Sequence, residues 1–152
     1  MRKEIVFAAK RTDNGEWIEG FLTIMWGSHH IINKENENTA YLIDEDTICL
    51  SSGLSDKYGK PIRENDIVEF LGHRGKVVFE CGSFGIAFSD TIDWEEVEKN
   101  ILPVTGCNNS LATCMNDNFI SLWEIMWNFN DEEERIETVE VVGNIFDNPE
   151  LL

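Results

Sequence analysis

The chain has 152 residues, 42% of them hydrophobic and 11% aromatic, with 12 basic and 29 acidic side chains for a formal net charge of −17. That is enough apolar material to pack a single domain, which excludes a disordered chain. The charge disfavours direct binding to nucleic-acid phosphates, no apolar run approaches the roughly 20 residues of a membrane span, and Met1-Arg2-Lys3-Glu4-Ile5 opens without an apolar leader, so a cytoplasmic location is expected.

Residues 5–9 read as a first strand. Asp13-Asn14-Gly15 signals a two-residue hairpin turn of the positive-φ type. Residues 17–26 are the return strand, with Trp17, Phe21 and Met25 as core candidates, and Gly20 marks a bulge or a close backbone approach. His29 and His30 are adjacent, and consecutive strand residues point to opposite faces, so they do not converge on one metal. Residues 33–38 are a polar loop. Residues 41–43 and 47–50 read as short strands around Asp44-Glu45-Asp46, an acidic turn that lacks the alternation and glycine of a calcium-binding EF-hand loop.

The stretch 53–88 organises the rest. Asp56-Lys57-Tyr58-Gly59 is a turn in which Asp bonds its own backbone and Gly supplies positive φ. Pro61 lacks an N–H, which places residues 60–62 at an edge or a strand entry. Glu64-Asn65-Asp66 is a second turn, with Asn65 suited to a left-handed backbone. Residues 67–70, 76–80 and 84–88 are three strands joined by short loops, with Val68 and Phe70 on one face of the first and Val77 and Phe79 on one face of the second. A short twisted meander of this kind is expected to curl into a small SH3-like antiparallel barrel.

Past residue 90 the hydrophobic period changes. Asp93-Trp94-Glu95-Glu96 is a capping-box pattern flanked by Ile92 and Val97 as a hydrophobic staple, and Pro103 ends the helix over residues 94–101. Residues 106–118 are loop-like. Residues 119–129, FISLWEIMWNF, fit a helix through Phe119, Leu122, Trp123 and Met126. They fit a strand nearly as well through Phe119, Trp123, Ile125, Trp127 and Phe129. The helix is preferred. The segment is either core or a self-association surface, since aromatics and Met are enriched at interface cores. With the acidic block that follows, the candidate interaction surface is Phe119, Trp123, Met126, Trp127, Asp131, Glu132, Glu133 and Glu134. Residues 137–142 are the last strand, Gly143-Asn144 a turn, and Asn148-Pro149 stops regular structure.

No catalytic constellation emerges. The spacings of Cys49, Cys81, Cys107 and Cys114 match no zinc site, and reduced, partly buried thiols are expected. Gly82-Ser83-Phe84-Gly85 lacks the lysine and length of a phosphate loop. Glu64 and Asp66 are the best acid–base pair available, and satisfying their own turn explains them more simply. No enzyme activity, metal or cofactor is expected. Charge is uneven: residues 1–89 hold 10 basic and 14 acidic side chains, residues 90–152 hold 2 and 15. The second segment would attract a basic protein partner.

Three blocks carry a family resemblance. Gly53-Leu54-Ser55-Asp56-Lys57-Tyr58-Gly59-Lys60, with Ile62 and Glu64-Asn65-Asp66-Ile67-Val68, resembles the YopX-like family of phage and prophage proteins. The closing Val141-Val142-Gly143-Asn144-Ile145-Phe146-Asp147-Asn148-Pro149-Glu150-Leu151-Leu152 and the opening Met1-Arg2-Lys3-Glu4-Ile5-Val6-Phe7 with Asn14-Gly15-Glu16-Trp17 are similar to its ends. The family has Gly where this chain has Asn65, and an aromatic-Thr pair where it has Leu50-Ser51-Ser52. Residues 90–140 match it poorly. The resemblance implies a mainly β fold with a barrel, self-assembly, and no catalytic residues to transfer. The expectation is therefore a mainly β (α+β) protein: one YopX-like domain, residues 1–152, with an N-terminal hairpin and one or two short helices in its C-terminal third. The barrel core is expected at about 39–89 plus 137–146, and a less regular acidic subdomain at about 90–136. The expected role is a non-enzymatic, self-assembling accessory or binding protein forming a homo-oligomer. The alternative is an acidic decoy or inhibitor of a basic host protein.

Overall fold

The structure, a computed structural model, describes residues 4–80, 82–97, 99, 118–129 and 134–152, and for 127–129 the backbone only. The chain is mainly β and divides into two compact units, Met1–Gly53 and Leu54–Leu152.

The first unit is a four-stranded meander extended by the start of a fifth strand. Strands β1 (Phe7–Lys10), β2 (Trp17–Met25), β3 (Ser28–Asn33) and β4 (Ala40–Leu42) pair antiparallel in chain order. The first residues of β5 (Cys49–Asp56) add beside β1 through Phe7↔Leu50 and Ala8↔Cys49. Alternation puts Ile18 and Leu22 of β2 with Ile31 of β3 on one face, around buried Ala9, Ile31 and Ile43. Gly20 is a close approach rather than a bulge: a Cβ there would stand 1.9 Å from the Ile32 carbonyl oxygen. A single bridge, Arg11↔Ile43, curls the end of β4 back toward β1.

The β1–β2 connection is longer than the expected two-residue turn. Arg11 N donates to Glu16 O and Gly15 N to Arg11 O, with Gly15 at φ 72°. Asn14 is not left-handed; its side chain accepts from Glu16 N instead, while Arg11 pairs with Asp13. These local side-chain bonds hold the wider loop open. The acidic turn 44–46 is a short 3-10 turn, Glu45–Thr47, capped by the Asp44 carboxylate on Asp46 N.

The second unit is a five-stranded antiparallel sheet in the order β10-β9-β8-β7-β12. Its strands are β7 (Asp66–Phe70), β8 (His73–Glu80), β9 (Ser83–Phe88), β10 (Phe119–Ser121) and β12 (Val139–Asn144). Beside them, the end of β5 pairs with β6 (Pro61–Arg63) and, in parallel, with β11 (Arg135–Ile136). The meander 66–88 and both turns stand as expected, with Asn65 at φ 68° and Gly59 at φ 81°.

The expected SH3-like barrel does not close. Among the described residues no ladder joins β10 to β12, and the path of strands stays open. The physical reason lies in what covers the apolar face. Val68, Phe70, Val77, Ile86, Phe88, Val139 and Val141 from the sheet pack with Leu122 and Ile125 from α2 (Leu122–Phe129), and with Ile92 and Val97. Helices supply the cover that barrel closure would otherwise supply. Residues 94–97 and 99 are helical (α1). Asp93 caps this helix through Glu95 N and Glu96 N, and Ile92 and Val97 are buried together as the staple predicts. Trp94 meets Phe88 edge-on with ring centroids 5.9 Å apart, which seats α1 on β9. The parts of this helix expected at 98, 100 and 101, and Pro103, lie outside the described residues.

The segment 119–129 is both strand and helix. Phe119–Ser121 pairs with β9, then Ser121 Oγ accepts from Glu124 N at 3.0 Å and starts α2.

Candidate interaction surfaces

The carboxylates with the strongest claim to chemistry are consumed by the fold. Asp56, only 1% exposed, accepts Tyr58 N at 2.9 Å and Lys60 N at 2.8 Å through Oδ1. Its Oδ2 accepts Val141 N at 2.9 Å, so one side chain closes a turn and ties it to the last strand. Asp66 Oδ2 accepts Arg63 N at 2.8 Å. Burial raises the Asp66 carboxyl to about 6, against a lowering by its bond to Arg63 and by the charges of Arg63 and Lys60. Glu64 sits in the turn and is half-buried.

No histidine joins them. His29 and His30 sit on opposite faces of β3, paired across the ladder with Ile24 and Thr23. His29 Nδ1 is 3.1 Å from Glu45 Oε2, His30 Nδ1 is 3.0 Å from the Ser28 carbonyl oxygen, and His73 lies edge-on to Phe88. Among the described residues no three His, Cys, Asp or Glu side chains are grouped for a metal ion. Cys49 is buried and its Sγ donates to the Thr47 carbonyl at 3.3 Å; Cys81, Cys107 and Cys114 lie outside the described residues.

The candidate surface on 119–134 is divided by the structure. Phe119 is half-buried and lies on the sheet face opposite the core residue Ile120, its ring across Gly85, where a Cβ would stand 2.2 Å from Phe119 Cζ. Met126 is half-buried. Trp123 stands outward at 53% exposure, one residue past buried Leu122 and two before buried Ile125. Glu134 is exposed at φ 63°, and its carbonyl accepts Ser55 N at 2.8 Å. Asp131, Glu132 and Glu133 and the side chain of Trp127 lie outside the described parts.

Sequence reasoning passed over a second exposed group in the first unit. Ile24 is 64% exposed and Trp26, at the tip of the β2–β3 hairpin, is 94% exposed. The apolar run 17–26 places Trp26 at the end of a strand, whereas it is a turn residue. Gly27, set between two apolar runs, was the available signal for a turn there. No helix among the described residues is long and apolar enough to cross a membrane.

The chain is mainly β, its two buried carboxylates among the described residues bond backbone N–H groups, and several large apolar side chains reach the surface. The sequence matches the family described as YopX protein over residues 12–152, and the chain belongs to that family. Among curated proteins none matches it.

Proposed function

We propose that the chain is a non-enzymatic binding protein that assembles with copies of itself, an accessory protein of a phage or prophage acting in the cytoplasm. One observation carries this reading. The two buried carboxylates among the described residues, Asp56 and Asp66, are bonded to backbone N–H groups, while Trp26, Ile24 and Trp123 stand exposed. Tryptophan is the side chain most enriched at the energetic centres of protein interfaces. Light scattering on the eluting protein, run over a range of loading concentrations, tests the proposal. A mass that is a multiple of 17.4 kDa supports it, and a strict monomer up to about 100 μM removes it.

The charge distribution favours a second reading for the other surface. Residues 54–152 hold 7 basic and 20 acidic side chains, a net of −13, and Trp123 belongs to this part. An exposed aromatic among carboxylates suits a basic protein partner, with association that weakens as salt is added. Capture that is insensitive to salt counts against this reading.

A further inference from the structure

The β2–β3 hairpin ends in a two-residue turn, Trp26-Gly27, closed by the pair Met25↔Ser28. Both turn residues are left-handed, Trp26 at φ 50° and Gly27 at φ 77°. Asn, Asp or Gly fits the first position of such a turn without strain; a bulky aromatic does not. Among the described residues the same turn occurs once more. Leu71-Gly72 joins β7 to β8 with φ 49° and 84°. There the unfavourable residue has a reason inside the fold, because Leu71 is half-buried and packs against the main core. Trp26 has the same backbone and is 94% exposed, so burial within the chain does not offset its strain.

Charge selects the occupant. The hairpin from residue 17 to residue 33 carries one formally charged side chain, Glu19, in a chain that is 27% charged. Residues 24–28, Ile-Met-Trp-Gly-Ser, carry none. The acidic turn approaches this hairpin through Glu45, whose carboxylate stands at His29. Two copies of a −17 chain repel, and a two-fold contact sets like against like. Residues 24–28 bring no charge to such a contact, and the carboxylate beside them, that of Glu45, faces His29, so two copies can meet through exposed Ile24 and Trp26 with little opposing charge. We infer that the β2–β3 hairpin tip is the self-contact of this protein, with Trp26 of each copy as the anchor. This rests on the self-assembly reading above and assigns it to a place other than residues 119–134.

Sedimentation equilibrium of the full chain, of Trp26→Asn and of Trp123→Ser separates the outcomes. Asn suits a left-handed φ, so Trp26→Asn retains or raises the unfolding midpoint in urea and does not fail by misfolding. The expected result is self-association weakened about thirtyfold or more in Trp26→Asn, with Trp123→Ser unchanged. A wild-type oligomer that persists in Trp26→Asn overturns the hairpin contact and leaves self-assembly standing. A wild-type chain that is monomeric throughout overturns both.

Discussion

Asp56→Ala removes a side chain that does three jobs at once. Its carboxylate accepts from Tyr58 N, Lys60 N and Val141 N, and it is almost wholly buried. A hydrogen bond to a charged group contributes roughly 1.5–3 kcal/mol, and a buried donor left unsatisfied costs about 1–3 kcal/mol. The Tyr58 and Lys60 bonds are partly exposed, so water restores part of what they lose, whereas the Val141 bond is buried. The expected loss is about 3–5 kcal/mol, a large share of the roughly 5–15 kcal/mol that holds a domain together. Asp56→Asn keeps one acceptor oxygen for the turn but sets an amide against Val141 N–H or the turn, and is expected to lose about 2 kcal/mol. Urea unfolding followed by far-ultraviolet circular dichroism measures both. A loss below about 1 kcal/mol for Asp56→Ala would refute the claim that this carboxylate ties the turn to β12.

Three other predictions concern the same unit. Asp66 is raised to about 6 in the fold, against an unfolded value of 3.8, so the folded chain holds its proton more tightly. Its favourable contribution is therefore fully present below about pH 4 and is lost as pH rises through 6, a change of about 2–3 kcal/mol. The difference in urea midpoint between wild type and Asp66→Asn should shrink or reverse in the wild type's disfavour between pH 5 and pH 7.5; a flat difference contradicts the raised value. Gly85→Ala sets a methyl 2.2 Å from the Phe119 ring and 2.9 Å from the Ile120 carbonyl oxygen, so β10 must shift from β9, at a cost of about 1–3 kcal/mol. A thermal midpoint unchanged from wild type would show that the ring is not seated there. Ser121→Ala removes the cap on Glu124 N and should lower stability by about 1 kcal/mol, with Ser121→Asp close to wild type; equal loss in both variants argues against a capping role.

What was legible in the sequence was local. Turns that rest on one residue's backbone preference, such as Gly59 and Asn65, stand where residue type placed them. So does the Asp93 cap, because its partners lie two and three residues away. The meander 66–88 followed from alternation alone. What was not legible was non-local. Asp56 was recognisable as a turn former, but nothing near it announces that its second oxygen reaches Val141, 85 residues onward. Closure of a barrel depends on whether the sheet's apolar face meets itself or a helix, and α2 settles that from a distant part of the chain. Residues 119–129 fitted two periods because they contain two elements, three residues of strand and then eight of helix. Composition alone cannot tell Phe119, half-buried with its ring laid over Gly85, from Trp123, turned out to solvent. Trp26 was hidden by its place at the end of an apolar run.

The proposed self-assembly rests on buried carboxylates bonded to the chain's own backbone and on exposed aromatic side chains, Trp26 above all, that would meet further copies. A dilution series in small-angle X-ray scattering tests it most directly. A forward-scattering mass of at least twice 17.4 kDa at high concentration, falling on dilution, is expected. A mass of 17.4 kDa that stays constant across the series would contradict it.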